Sequence, residues 1–595
     1  MNEPQDADRA GHLIEALAAV NARSQKLLAE YLSHGGTDDA YSVLDPAVIA
    51  RTFQDMGAQL MMRPDLILRE QTAFWLDYVQ LCQRTMSRVM FNKPVEAVVA
   101  PTANDKRFKD SNWADHYVFD FFKQCYLLAG RRVEAMAKQV QGLDPHTARQ
   151  AAFYTRQLVD ALSPSNFVAT NPQVLKATLE SSGENLVKGL GHLLDDLERG
   201  KGHLSLRMTD LDAFRLGENI GATPGKVVYQ NKLMQLLQYA PATEQVHQRP
   251  LLIVPPWINK FYILDLKPQN SFIKWAIEQG HTVFVISWVN PDESLAQKDF
   301  EDYMREGPLM AIDAIEQATG EKQINAIGYC IGGTLLACTL AYMAAKRDHR
   351  VRSATFFASL LDFTDVGELA VFIDEEQIAR IERHMDKHGF LDGSHMANAF
   401  NLLRENELIW SFVVNNYLLG REPMAFDLLY WNSDSTRMPA AMHSFYLRNM
   451  YLHNRLSTPG GITLAGMPVD LGKIKVPVYF LSTVEDHIAP WKSTYAGTSL
   501  VSGPVRFVLG GSGHIAGVIN PPTANKYHYW TNAELAATPD EWLATAQQHG
   551  GSWWSDWAQW IAPRAGKSIP ARQPGSSRLP PIEDAPGAYV KTRVN

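Results

Sequence analysis

The sequence predicts an α/β fold with a mainly parallel sheet, preceded by an all-helical N-terminal region. Three observations predict it. Before about residue 215 the apolar residues recur at helical spacing, whereas from Gly225 short β-rich runs alternate with helical segments, the pattern of strands joined by crossover helices. Between the two, ERGKGHLSL and ENIGATPGK supply the glycine, proline and charge of a boundary near residues 200–225. The expected domains are therefore 1–215, helical, and 216–595, α/β.

The N-terminal helices are justified by segments such as HLIEALAAVNARSQKLLAEYL, FWLDYVQLCQRTMSRVM and DHYVFDFFKQCYLLAGRRVEAMAKQV, whose aromatic and methionine stripes read as packing faces. That region carries no metal-ligand spacing, phosphate loop or repeat of fixed period. With 56 Lys+Arg against 64 Asp+Glu the formal charge is −8, which argues against a nucleic-acid binder held by a basic field. Apolar types at 46% and charged residues at 20% describe a globular chain with a large core. Four cysteines, Cys82, Cys125, Cys330 and Cys338, make no disulfide framework in so long a chain and point to a reducing compartment. The start MNEPQDADRAGHL lacks a basic region followed by an apolar one, so the expected location is cytoplasmic.

The strands expected in the second domain are KVVYQ, LMQLLQYA, LLIVPP, TVFVISW, INAIGY, VRSATFFAS, VPVYFLST and VRFVLGG. Eight such runs match the strand number of an α/β-hydrolase sheet. The uncharged stretch Ala326–Ala345 is about long enough to span a bilayer, but Gly328, Gly332 and Gly333 divide it into strand, tight turn and buried helix. Between Ser359 and Val476 lie about 115 residues of helical pattern, too many for a connection, so a cap insertion over the active site is expected at about 360–475. A helix-like segment follows His514, and a Pro/Gly/Ser/Arg-rich tail, expected to be extended or mobile, occupies about 563–595.

Gly328-Tyr329-Cys330-Ile331-Gly332 sits between a strand and a helix, the setting of a nucleophile elbow. The elbow strains its central residue and leaves no room for a Cβ two positions to either side, which Gly328 and Gly332 satisfy. Cysteine in the centre is a soft nucleophile suited to thioester exchange. Cys338, in the following helix, reads as a packing residue. In this fold the partners follow in the order nucleophile, acid, histidine. VPVYFLST runs into Val484-Glu485-Asp486-His487, where Asp486 is the preferred orienting carboxylate, Glu485 its local rival and His487 a helper or packing group. VRFVLGG ends in Ser512-Gly513-His514, which places the general base at His514. The oxyanion hole combines the N–H of Ile331 with one from the loop after LLIV, where two prolines cannot donate; Ile258 is the choice and Asn259 the alternative.

PPWINKFYILDLKPQNSFIKW, GYCIGGTLLA, YWNSDSTRMP, VEDHIAPW, GSGHIAGVINPP, GSWWSDWAQW and GAYVKTRVN resemble the sequence blocks of the polyhydroxyalkanoate synthases, most closely the single-chain class I type. The resemblance covers nearly the whole chain. It implies polymerisation of (R)-3-hydroxyacyl groups, short-chain such as 3-hydroxybutyryl, from coenzyme A thioesters. In that scheme Cys330 takes the acyl group, His514 activates its thiol, and Asp486 activates the incoming hydroxyl directly or through His514. It implies no cofactor or metal, coenzyme A being a leaving group. It also implies a homodimer in the cytoplasm, associated with the growing polyester, the granule surface and granule-associated proteins, with no transmembrane segment. Asp265 and YWNSDSTRMP take structural or supporting roles. Tyr329 and Ile331 depart from the phenylalanine and valine of many class I members, a change that touches substrate fit. Two other readings remain open on the residues: a Cys-dependent hydrolase acting on a thioester, lactone or the polymer, and a non-catalytic granule scaffold, which an intact Cys/Asp/His set argues against.

Overall fold

The computed structural model describes residues 18–26, 42–91, 95–202 and 204–593. Of the helix expected across residues 12–32, residues 18–26 are helical and the rest lie outside the described residues. The chain divides into two compact units, the first running to Asp210 and including Phe400–Met424, the second comprising Leu211–Ala399 and Ala425–Asn595.

The first unit is helical as its periodicity predicts, with long helices Pro46–Met61, Pro64–Phe91, Tyr117–Gln139, Pro145–Ala161 and Glu184–Arg199. Two of them begin with the same device: the side chain of Asp45 or Asp144 accepts from the first-turn amides, and the next residue is a proline with no N–H to lose. Residues 400–424, from within the expected insertion, pack into this unit. Tyr417 donates its hydroxyl to Asp196 at 2.6 Å, and Asn416 donates to the Arg207 carbonyl at 2.8 Å.

The second unit is built on one eleven-stranded sheet. Its strands are β1 (Gly225–Gln230), β2 (Met234–Tyr239), β3 (Leu251–Val254), β4 (Val283–Trp288), β5 (Ile324–Tyr329), β6 (Val351–Phe357), β7 (Val478–Thr483), β8 (Val505–Gly510), β9 (His528–Thr531), β10 (Gln547–Gly550) and β11 (Glu583–Asp584). Across the sheet β1 to β8 stand in the order 1-2-4-3-5-6-7-8. All pair in parallel except β2, which is antiparallel to both neighbours. With the cysteine turn directly after the fifth strand, this is an α/β-hydrolase sheet. Alternate side chains, among them Ile253, Val285, Ile327 and Phe357, form one apolar face. Phe272 and Trp553, Trp554 and Trp557 cover it; Phe272 meets the Trp554 ring edge-on at 5.1 Å.

All eight expected strands are present. The segment after His514 corrects the helical reading, because it contains β9 and β10 as well as the helices Pro539–Thr545 and Trp554–Ile561. Strands of four residues carry too few positions for alternation to show in sequence. The tail is extended and is held in place. Ser568–Pro570 pairs with Gln245–His247, β11 pairs with β1, and Val590 is buried. The uncharged stretch from Ala326 resolves into β5 and the helix Ile331–Ala345, and among the described residues no helix is long and apolar enough to cross a membrane.

Candidate active site

The parallel register brings the carboxyl ends of β5, β7 and β8 to one edge of the sheet, where clefts form in open α/β folds. Cys330 follows β5 directly with φ 54° and ψ −126°, a conformation costing a non-glycine residue about 1–3 kcal/mol. The surroundings impose it. The Cys330 amide donates to the Phe357 carbonyl at 2.9 Å, and its carbonyl accepts from Gly333 at 2.9 Å and Thr334 at 3.2 Å. A Cβ on Gly328 would collide with the Gly333 backbone, and one on Gly332 with the carbonyls of Val254 and Pro255. The two glycines thus let the elbow turn and let it lie against the end of β3. Cys330 is half-buried, while Cys338 has no exposure and burial pushes its thiol pKa upward.

Asp486 and His514 meet at the ends of β7 and β8. Asp486 Oδ2 is 2.7 Å from His514 Nδ1, and both side chains are buried. The other carboxylate oxygen accepts from the amides of Ile488 at 2.9 Å and Ala489 at 2.8 Å. Glu485, the sequence rival, is exposed, and its amide donates to the Ser512 carbonyl at 2.9 Å, which ties the two loops together. Burial pushes the His514 imidazole down, but the Asp486 charge, the Cys330 sulfur and the hydrogen bond to Asp486 outweigh it and raise the pKa to about 10. His514 is thus bonded to Asp486 and lies within electrostatic reach of Cys330. His487 is half-buried beside Asp486.

The Ile331 amide opens the helix that follows Cys330, where the first N–H groups have no partner within the helix. Ile258 and Asn259 lie in the turn after β3, whose start is fixed by Trp288 Nε1 donating to the Pro255 carbonyl at 2.9 Å. Three aromatic residues belong to this neighbourhood: Tyr329, which the sequence already sets in the elbow, and Tyr446 and Tyr451, which it does not mark. Tyr329 is buried and donates its hydroxyl to the His514 carbonyl at 3.0 Å; its place inside the elbow was a signal, since a phenol buried there needs a partner. The Tyr446 and Tyr451 rings meet edge-on at 5.3 Å, and both phenols feel the Cys330 sulfur and are pushed up chiefly by burial. They come from an irregular helical segment remote in sequence, and nothing local marks them. Asp265 is buried and accepts from Thr223 Oγ1 at 2.5 Å and Ser271 Oγ at 2.6 Å, a structural tie.

This arrangement presents a thiol on a strained turn, a buried histidine within electrostatic reach of it and a carboxylate bonded to the histidine, which suits acyl transfer through a covalent thioester. Comparison with known proteins agrees in fold and adds a family. Residues 104–276 match the family described as poly-beta-hydroxybutyrate polymerase N-terminus, and residues 250–521 match the alpha/beta hydrolase fold. The chain is 53% identical over 546 residues to a poly(3-hydroxyalkanoate) polymerase subunit of Rhizobium meliloti, covering 92% of this chain and 89% of that one. It is 52% identical to a poly(3-hydroxyalkanoate) polymerase of Methylorubrum extorquens, over 92% of this chain and 90% of the relative. Among solved structures, the Paleococcus ferrophilus monoacylglycerol lipase aligns with a TM-score of 0.32 at 12% identity, over 56% of this chain and 98% of the lipase.

Proposed function

The chain belongs to the poly(3-hydroxyalkanoate) polymerase family, and from that premise we propose that it polymerises (R)-3-hydroxyacyl groups from coenzyme A thioesters, with Cys330 as covalent nucleophile. It is an acyl-transferring polymerase by that membership. The observation that carries the cysteine mechanism is the bonded Asp486–His514 pair within electrostatic reach of Cys330 on its strained turn at the edge of the sheet. The Cys330 sulfur attacks the thioester carbonyl, the carbonyl oxygen takes the negative charge, and the amides of Ile331 and of the turn at Ile258 or Asn259 receive it. On collapse the C–S bond to coenzyme A breaks, and the departing thiolate takes the proton held by His514. The hydroxyl of an incoming hydroxyacyl unit or chain then attacks the Cys330 thioester. His514 accepts the hydroxyl proton, the new ester forms, and the Cys330 sulfur leaves.

Asp486 acts through His514 in this reading. One of its oxygens is bonded to the imidazole and the other to two backbone amides, which supports orientation of the base over direct contact with the hydroxyl. No cofactor enters the reaction, since coenzyme A is displaced. We further propose, from the class I resemblance of its sequence blocks, a short-chain substrate, a homodimer and a cytoplasmic site of action at the granule surface. Incubation with short- and medium-chain 3-hydroxyacyl-CoA, following thiol release and the product, tests the proposal. Coenzyme A release with insoluble polyester is the expected result, and release of free hydroxy acid alone would assign the chain to the hydrolases.

A further inference from the structure

Three carbonyls of the turn after β3 are gripped by one segment of chain, residues 431–436. The Trp257 carbonyl accepts from Thr436 Oγ1, the Ile258 carbonyl accepts from the Thr436 amide at 3.0 Å, and the Lys260 carbonyl accepts from Trp431 Nε1 at 2.7 Å. A trans peptide unit carries its C=O and its N–H on opposite sides. Fixing the carbonyls of Trp257 and Ile258 therefore aims the amides of Ile258 and Asn259 away from Thr436. Those are the two candidate oxyanion donors, and Thr436 sets the direction of both.

The gripping segment is braced in turn. Asp434 is 2% exposed and stands 2.6 Å from Lys260 Nζ, while its other oxygen accepts from the Tyr262 hydroxyl at 2.8 Å. Lys260 also donates to the Thr592 carbonyl at 2.9 Å. Arg593 approaches Asp434 at 3.6 Å and lies 4.2 Å over the Tyr430 ring. A buried ion pair is a poor source of stability compared with apolar packing, but its directional partners can enforce a single register. Here the register is that of the turn against two segments remote in sequence.

We propose that Thr436, backed by the Lys260–Asp434 pair and Arg593, is the positioning device for the oxyanion donors of the turn after β3. The inference rests on the acyl-transfer reading given above. It separates two reactions of the same sulfur. Alkylation of Cys330 by iodoacetamide forms a C–S bond with loss of iodide and develops no oxyanion, whereas acylation by p-nitrophenyl butyrate or 3-hydroxybutyryl-CoA does.

Thr436→Val is expected to slow acylation by either acyl donor about 10- to 100-fold in kcat, with KM within about threefold and the alkylation rate within about twofold of the parent. Thr436→Ser keeps the hydroxyl and is expected to restore acylation to within about threefold, and Arg593→Met should move kcat in the same direction as Thr436→Val by a smaller factor. Parallel loss of alkylation and acylation, or unchanged acylation in Thr436→Val, would overturn the proposal. A parent enzyme acylated by the nitrophenyl ester but not by the coenzyme A thioester would sink the polymerase reading alone, with the Thr436 comparison still decided on the ester.

Discussion

The Tyr329 hydroxyl donates to the His514 carbonyl at 3.0 Å, so the last residue of β5 holds the backbone of the loop after β8. The two strands are not neighbours; β6 and β7 lie between them. The residue beside Cys330 thus fixes the backbone of His514, the base of the proposed reaction, and the Tyr329 ring lies 5.7 Å from the imidazole. Tyr329→Phe keeps the ring and leaves the carbonyl without this donor, at a cost of about 1–3 kcal/mol. We expect kcat to fall about 3- to 10-fold with KM unchanged, the loss scaling as a small misplacement of the base. Steady-state coenzyme A release and equilibrium unfolding of the two proteins check this. An unchanged kcat would mean that the loop's other ties, to Glu485, Asp486 and His528, hold it without Tyr329.

Cys330→Ala is expected to abolish coenzyme A release and polymer formation with the fold retained, because alanine keeps the Cβ and supplies no sulfur. Appreciable turnover in that variant would place the nucleophile elsewhere. Cys330→Gly separates strain from chemistry. At φ 54° glycine relieves a conformation that cysteine holds at a cost, so this inactive variant should unfold about 1 kcal/mol less readily than Cys330→Ala. Denaturant melts of the pair decide it.

Much of this site is legible in the sequence because each catalytic candidate stands next to a local mark. Cys330 lies between glycines at a strand end, Asp486 directly follows a strand, and His514 sits in a glycine-flanked loop. The eight strands show because they are apolar runs bounded by turn residues. What sequence conceals is whatever joins distant segments. Thr436 reads as one polar residue in YWNSDSTRMP, and only folding places it on the Trp257 carbonyl. The same holds for Lys260 and Asp434, each an ordinary surface type by composition and each buried against the other. Residues 400–424 share the helical texture of the insertion around them, and their packing on Asp196 and Arg207 leaves no periodic trace.

The raised pKa of His514 makes a signed prediction. Its value near 10 lies above the ordinary 6.5 because the Asp486 charge foremost, with the Cys330 sulfur, overcomes the opposing effect of burial. A folded-state value above the unfolded one contributes stability that is complete below about pH 6.5 and is lost as pH rises through about 10. Asp486→Asn removes the chief raising cause and leaves burial opposed by the Cys330 sulfur alone, so the value falls. The parent should lose on the order of a few kcal/mol between pH 7 and 10.5 that Asp486→Asn does not lose, since a tenfold change in proton affinity between folded and unfolded chain is worth about 1.4 kcal/mol. Unfolding free energies at several pH values and the His514 ring signals in NMR report it; equal pH slopes in the two proteins would refute it. Because both Asp486 oxygens are engaged in orienting the site, acylation and elongation should fall together in this variant, by about 100-fold or more.

Gly332 is the position where the elbow meets the end of β3, and there the backbone leaves no choice of residue. A Cβ would strike the carbonyl oxygens of Val254 and Pro255, which are main-chain atoms and cannot swing aside as a side-chain tip can. The Pro255 carbonyl is also held by Trp288 at 2.9 Å, so relief must come from moving the nucleophile helix away from the turn. Gly332→Ala is therefore expected to lose more than about 3 kcal/mol of stability and to abolish acylation at any temperature where it remains folded. Gly191→Ala is the control. Gly191 lies inside the helix Glu184–Arg199 with nothing within 4 Å of the new Cβ, so the same chemical change should stabilise by about 0.5–1 kcal/mol. Melts of both variants against the parent, with acylation measured below each midpoint, test whether elbow and turn are a single rigid unit. Acylation by folded Gly332→Ala at the parental rate would show that they are not.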